Sequence, residues 1–263
     1  MSIEINKEYL KNAQYKKSDY LEARIAIHKF TTSKETFQEW IWNQIKIEKP
    51  GKILEVGCGT GAFWKLHLSK LPAGSIVLMT DFSSGMTEKA QSNVSGDNVQ
   101  FEVADVENLS YEDSDFDLVM AHHILYHASD KDKALKELKR VCKIDGSVTI
   151  TTNSERHMLK VYETGQKLDP NFPTDRIIDT FTEEIADTVL PKYFDNIAKR
   201  VCEEYLHVTD IDIMLDYVRS GVEPRNIKVS NDFYDRYREI VTGEIKDKGY
   251  YEIMKRSPLY ICT

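Results

Sequence analysis

The sequence predicts an α/β fold: a parallel sheet covered by helices on both faces. Three observations carry the prediction. Apolar runs of strand length alternate with amphipathic helix-length segments from residue 52 to residue 152, and such alternation is the signature of parallel pairing through crossover helices. The first apolar run, Ile53-Leu54-Glu55-Val56, leads into Gly57, Gly59 and Gly61, and a helix-like stretch follows at once, Ala62-Phe63-Trp64-Lys65-Leu66. The second and third runs each end on an acid, Asp81 and Asp105. A strand, a glycine turn and a helix N-terminus together make a nucleotide-type site at the carboxyl edge of such a sheet, because backbone N–H groups there approach a ligand unhindered by Cβ atoms.

The elements follow in order. Residues 1–30 are polar and aromatic, with helical spacing from Tyr20 to His28. Residues 33–46 read as an amphipathic helix, with Ser33 as its N-cap and Phe37, Trp40, Ile41 and Ile45 on one face. Pro50-Gly51 breaks the chain before the first strand. Ser75–Thr80 is the second strand, and Ser83 or Ser84 caps a helix that runs to Val94. Asn98–Ala104 is the third strand and Phe116–Ala121 the fourth, ending at His122. Asp130 caps a helix whose Ala134, Leu135, Leu138, Val141 and Cys142 recur at helical spacing. Asp145-Gly146 turns it into a fifth strand, Ser147–Thr152.

The alternation then stops. Residues 154–194 contain Pro170, Pro173 and Pro191 and read as short helices and loops, an insertion over the carboxyl edge of the sheet. Asn196–Leu206 is strand-like, Asp210–Arg219 and Ser230–Ile245 are helical, and Tyr250–Thr263 reads as the last strand. The expected organisation is a helical cap over 1–48, a cofactor-binding core over 49–153, a lid over 154–194, and a return to the core sheet over 195–263.

Composition sets outer limits. A chain of 263 residues buries a full core. Its net charge of −8 disfavours a nucleic-acid partner, since phosphate binding needs a basic field. Cys58, Cys142, Cys202 and Cys262 are scattered and form no C-x-x-C pair, which fits reduced thiols in the cytoplasm rather than a zinc site or a disulfide framework. The stretch Met1–Lys7 lacks the apolar core of a signal peptide, and no apolar run approaches a membrane span.

The glycine spacing narrows the ligand. Dinucleotide-binding strands carry G-x-G-x-x-G. Here the pattern is Glu-x-Gly-x-Gly-x-Gly, which counts against a nicotinamide oxidoreductase, and no Lys-Ser/Thr follows, which removes a Walker-type loop. The stretch 52–61 resembles the first motif of the class I S-adenosylmethionine-dependent methyltransferases. His122-His123-Ile124-Leu125-Tyr126-His127-Ala128-Ser129-Asp130 resembles the fourth motif of that family. The chain is most similar to the ubiquinone/menaquinone-biosynthesis-type branch, which acts on diverse small molecules. It departs from the pattern at Lys143-Ile144-Asp145-Gly146, where relatives commonly carry a Pro-Gly-Gly turn.

The resemblance implies a Rossmann-like, doubly wound, seven-stranded sheet with its last strand antiparallel, S-adenosyl-L-methionine as cofactor and S-adenosyl-L-homocysteine as product. It implies cofactor contacts from Glu55, Gly57, Cys58, Gly59 and Gly61. Asp81 lies about 25 residues beyond Glu55, where a ribose-binding acid sits in nucleotide folds. Phe82 and Met86 would border the adenine, Asp105 would accept from its amino group, and Val106 would donate a backbone N–H. His122 would present itself to the methyl-donor region. The segment Gln14–Arg24 resembles an N-terminal helix that folds over the cofactor, with Tyr20 and Arg24 as contacts and Arg24 toward the carboxylate.

His123 and His127 are the expected proton acceptors, because imidazole titrates near neutrality. Tyr15, Tyr126 and His127 are the expected acceptor-binding residues. No metal is expected, since Asp115 and Asp117 flank the start of the fourth strand, at the opposite edge from the site. The expected reaction is in-line methyl transfer to an O or N atom of a small molecule, driven largely by alignment and exclusion of water. Two alternatives stand beside it: a non-catalytic scaffold or sensor that binds the cofactor, and an RNA or protein methyltransferase. The sequence assigns neither the acceptor nor the oligomeric state.

Overall fold

A computed structural model describes residues 18–173 and 176–263. In chain order the elements are α1 (Ser18–Ala26), α2 (Phe37–Ile45), β1 (Lys52–Val56), α3 (Ala62–His67), β2 (Ile76–Asp81), α4 (Ser84–Asn93), β3 (Val99–Val103) and β4 (Phe116–His122). There follow α5 (Lys131–Val141), β5 (Cys142–Thr151), α6 (Leu159–Leu168), α7 (Glu183–Val189), β6 (Ile197–Val208), α8 (Ile211–Val222), α9 (Phe233–Lys248) and β7 (Tyr251–Cys262).

The sheet has seven strands in the order β3-β2-β1-β4-β5-β7-β6. Strands β1 to β4 are parallel neighbours, β5 continues them, and β7 runs antiparallel to β5. This is the doubly wound sheet with an antiparallel late strand that the family resemblance implies. The chain winds outward from β1 to β3, then returns to place β4 on the other side of β1. That reversal leaves a crevice at the carboxyl ends of β1 and β4, the usual ligand position in open α/β sheets.

The chain divides into two compact units. One comprises Glu35–Ser154, Thr180–Cys202 and Ser257–Thr263. Its two cores follow from the twofold alternation of side chains along a strand. Leu54, Val56, Val119 and Ala121 face one way and pack with Leu135, Leu138 and Val141 of α5 and Ala186 of α7. Ile53, Val77, Met79, Leu118 and Met120 face the other way and pack with Ile41, Phe63, Trp64 and Ala90. Glu55 shares the strand face of Ile53, which is why a carboxylate ends up 5% exposed.

The other unit gathers the segment ending at Lys34 with Glu155–Asp179 and Glu203–Arg256. Its core joins Ile27, Met158, Val161, Phe172, Leu206, Met214, Phe233, Tyr237 and Tyr251. The compact units therefore do not follow the cap, core and lid boundaries expected from sequence. The 154–194 segment is divided because Phe172 packs in this unit, while Phe181, Ala186 and Leu190 pack against the sheet core.

Two local expectations are corrected. The helix expected from Ser33 begins at Phe37, capped by Thr36. Thr36 Oγ1 accepts from the Glu39 N–H at 3.2 Å, and Glu39 Oε2 accepts from the Thr36 N–H at 2.8 Å, a reciprocal capping box that Ser33 lacks. The turn expected at Asp145-Gly146 is part of β5, which starts at Cys142. Phe116 pairs with Cys142 and Leu118 with Ser147, so residues 143–146 bulge opposite Asp117. Lys143 Nζ donates to Asp117 Oδ1 at 2.8 Å and secures the bulge.

Candidate active site

The carboxyl ends of β1, β2, β3 and β4 bring together most of the residues singled out from sequence. Gly57, Gly59 and Gly61 all have positive φ, at 74°, 55° and 76°. At Gly57 the reason is a buried neighbour: a Cβ would stand 2.1 Å from Ile124 Cγ2. At Gly59 a Cβ would meet nothing within 4 Å among the described residues, so the loop is open on that side to them. The loop is pinned to β2 by the Cys58 N–H donating to the Thr80 carbonyl at 2.8 Å. Cys58 itself is buried, and burial pushes its thiol far up, so it serves as an inert wall rather than a nucleophile.

Asp81 ends β2 and fixes the loop to the next turn. Its Oδ2 accepts from the Gly59 N–H at 2.9 Å, and its Oδ1 accepts from the Ser83 N–H at 2.9 Å. Burial raises its pKa, and those two hydrogen bonds pull against the rise. Phe82 and Met86 follow, both half-buried, with Met86 in the first turn of α4. Asp105 follows β3. Its Oδ1 accepts from the Glu107 N–H at 3.0 Å and its carbonyl from the Asn108 N–H, which closes a tight turn around Val106.

Glu55 lies beneath the loop. Burial pushes its carboxyl up to about 8, the Asp81 charge adds to the shift, and the Trp64 indole N–H works against it. The indole does not complete a hydrogen bond of ordinary geometry: among the described residues, Glu55 Oε2 and Trp64 Nε1 are both buried without a partner. Buried polar atoms of this kind are uncommon and call for an explanation.

The histidines follow β4. His122 Nε2 meets Thr149 Oγ1 at 3.0 Å, and burial, aided by His123, lowers its pKa to about 3. His123 has φ 56°, an unusual conformation for a residue with a Cβ. Its N–H is held by the Thr151 carbonyl at 3.0 Å and by Thr151 Oγ1 at 3.1 Å. Its ring lies 5.3 Å from Phe37 and 6.3 Å from Tyr126. The Tyr126 and His127 rings are 4.6 Å apart. Burial, with the Lys131 charge, lowers His127 to about 4, and among the described residues its Nδ1 is buried without a partner.

Tyr20 and Arg24 belong to the other unit. Tyr20 donates to Glu223 Oε2 at 2.8 Å, and Arg24 Nη2 donates to the Ser220 carbonyl at 2.8 Å. Tyr15 lies outside the described residues. Sequence reading missed Ile124, Trp64, Thr149 and Thr151. The Thr149 and Thr151 contacts follow from the β4–β5 register, which pairs Met120 with Thr149 and His122 with Thr151. Ile124 and Trp64 carried no local signal beyond being apolar.

A glycine loop, an acid ending each of the next two strands and a polar segment after β4 define a nucleotide-type ligand site on a Rossmann-like sheet. The particular family follows from comparison. Residues 54–150 match the methyltransferase domain family, a span that holds the glycine loop, Asp81, Asp105 and all three histidines. The match bears out the resemblance read from the glycine loop.

A demethylmenaquinone methyltransferase of Lactobacillus johnsonii is 33% identical over 140 residues, covering 50% of this chain and 57% of the relative. The chain thus spans little more than half the length of that relative. The fold is similar to phosphoethanolamine N-methyltransferase 2 of Haemonchus contortus in complex with S-adenosyl-L-methionine, with a TM-score of 0.58, 18% identity, and 98% of this chain and 59% of that one covered. It is also similar to an S-adenosylmethionine-dependent methyltransferase of Aquifex aeolicus, with a TM-score of 0.51, 18% identity, and 70% and 92% of the two chains covered. Among the described residues, no helix is long and apolar enough to cross a membrane.

Proposed function

We propose that the protein is an S-adenosylmethionine-dependent methyltransferase acting on an O or N atom of a small molecule. The observation that carries the reading is the Gly59–Asp81 junction: an open backbone loop tied by one hydrogen bond to a carboxylate at the end of the neighbouring strand. The residues present fit the cofactor. Asp81 retains lone pairs to accept from ribose hydroxyls, and Asp105, beyond the next strand, is suited to the adenine amino group with Phe82, Met86 and Val106 beside it. Glu55 Oε2 and Trp64 Nε1, an unpartnered acceptor and donor beneath the loop, suit the polar amino-acid end directly or through water. In this reading Tyr20 and Arg24 are spent on their own unit.

When bound, the cofactor supplies a methyl group on a positively charged sulfur. The chain aligns the acceptor with it and keeps water out. His127 stays neutral near pH 7, since its pKa lies at about 4. Its unpartnered Nδ1 is suited to accept the proton that leaves the nucleophile as the new C–O or C–N bond forms. Tyr126 and His123 form the aromatic surround of that nitrogen. Four cysteines that form no disulfide among the described residues fit a protein of the cytoplasm. The relatives' names support a small acceptor, and the net charge of −8 weighs against RNA.

The test is release of S-adenosylhomocysteine, followed by mass spectrometry, from a panel of phenols, amines and carboxylic acids. Turnover on one class, lost in Asp81→Asn, is the expected result. Tight cofactor binding with no turnover on any class would favour the scaffold or sensor reading.

A further inference from the structure

Glu107 is 9% exposed, an unusual place for an acid, because a buried charge is costly unless it is bonded. Its side chain reaches the segment after β4, where Oε1 accepts from the Ser129 N–H at 2.6 Å. Its own N–H donates to Asp105 Oδ1 at 3.0 Å. One residue therefore links Asp105, which follows β3, to Ser129, two residues beyond His127. All four residues belong to the unit that holds β1 to β5.

Other contacts already serve the local folding. The turn 105–109 is fastened to α5 by the Leu109 N–H, which donates to Glu137 Oε2 at 2.8 Å, and by Arg140 Nη2, which donates to the Leu109 carbonyl at 2.8 Å. The start of α5 is capped by Asp130, whose Oδ1 accepts from the Lys133 N–H at 3.0 Å. Glu107 instead fixes the stretch before the helix. There the His127 N–H donates to the Ile124 carbonyl at 2.8 Å and the Ala128 N–H to the Leu125 carbonyl at 3.2 Å, so residues 124–128 form one short hydrogen-bonded turn. Ile124 packs against Gly57 at the front of that turn, and Glu107 holds Ser129 at its back. The piece of chain that carries His127 is thus anchored at both ends, on the loop and on the turn that the proposed function gives to the cofactor.

We propose that Glu107 is a positioning residue for methyl transfer: it carries occupancy of the Asp105 turn to His127, so that bound cofactor sets the imidazole that receives the proton. A ligand held by Asp105 and Val106 stiffens the turn from which Glu107 projects. A hydrogen bond of 2.6 Å to a carboxylate is short and strong, and it passes that restraint to Ser129 and the turn before it. The inference rests on the cofactor reading of Asp105 and on His127 as the proton acceptor.

Amide hydrogen exchange at Gly59, His127 and Ala128 tests it, followed by NMR on the full chain with and without S-adenosylhomocysteine. In wild type S-adenosylhomocysteine slows all three amides. In Glu107→Ala the His127 and Ala128 amides exchange about tenfold faster or more, the loss that one hydrogen bond to a charged group brings. S-adenosylhomocysteine no longer slows those two in the variant, though it still slows Gly59. Glu107→Gln restores the response, because its amide oxygen still accepts from the Ser129 N–H. Glu107→Asp, a methylene too short to reach, behaves as the alanine variant and replaces it if alanine lowers the melting temperature sharply. Two results overturn the proposal while the cofactor reading stands. In one, Gly59 is slowed in wild type but His127 and Ala128 are indifferent. In the other, all three are still slowed in Glu107→Ala, which would leave Glu107 a structural tie. If Gly59 itself is indifferent in wild type, the cofactor reading fails and the proposal falls with it.

Discussion

Alanine at Gly59 separates binding from folding, and alanine at Gly57 does the reverse. Both positions have positive φ, 55° and 74°. Placing a Cβ in that region costs about 1–2 kcal/mol. At Gly59 the new Cβ meets nothing within 4 Å among the described residues, so this conformational cost is the expected loss of stability. At Gly57 the Cβ stands 2.1 Å from Ile124 Cγ2, and overpacking adds about 1–3 kcal/mol. Urea denaturation is therefore expected to show Gly59→Ala down by about 1–2 kcal/mol and Gly57→Ala by about 2–5 kcal/mol. Gly57→Ala with Ile124→Ala regains part of the difference. Calorimetry with S-adenosylhomocysteine is expected to show the opposite order of interest: Gly59→Ala, still folded, binds at least about tenfold more weakly, or about 1.4 kcal/mol. Wild-type affinity in Gly59→Ala would refute the placement of ligand over the open side of the loop. Equal stability of the two variants would refute the role of Ile124.

Three further outcomes follow from the site and its supports. Glu55 is protonated when folded up to pH 8 or so and ionised when unfolded above about 4.5, so the folded state binds the extra proton and stability falls as pH rises between those values. Glu55→Gln removes that fall, whose upper limit is roughly 5 kcal/mol; equal slopes for the variant and wild type in melts from pH 5 to pH 8 would contradict it. His127 has the reverse sign: its folded pKa of about 4 lies below the unfolded value of 6.5, so its contribution is present above 6.5 and is lost as pH falls toward 4. His127→Gln should flatten this acid limb, while the pH profile of kcat/KM in wild type should show no His127 step near 6.5; a step there that the variant abolishes would refute the neutral imidazole. Thr36→Ala should cost about 1 kcal/mol in urea denaturation, and no loss of stability would contradict its role as the cap.

What could be read from sequence was what local pattern encodes. Five parallel strands, the glycine loop and the acids at Asp81 and Asp105 depend on short-range periodicity and on the rule that ligands gather at strand carboxyl ends. The capping box Thr36-x-x-Glu39 is equally local, and it sets the cap at Thr36 rather than at Ser33. The start of β5 was hidden because residues 143–146 carry a turn-like Asp-Gly, yet pairing of Cys142 with Phe116 draws them into the strand as a bulge. The unit built around Ile27, Met158, Leu206, Phe233 and Tyr251 was not legible, since its core joins segments far apart in the chain. For the same reason Ile124 under Gly57, Trp64 beside Glu55 and Thr149 at His122 emerged only from the packed sheet.

The most direct test of the account is calorimetric titration of S-adenosyl-L-methionine and S-adenosyl-L-homocysteine into the wild-type chain and Asp81→Asn. Micromolar binding of both to wild type is expected, with a loss of at least about tenfold in the variant, because a neutral amide replaces the carboxylate that would accept from the ribose. No binding to wild type, or binding that ignores Asp81, would contradict it.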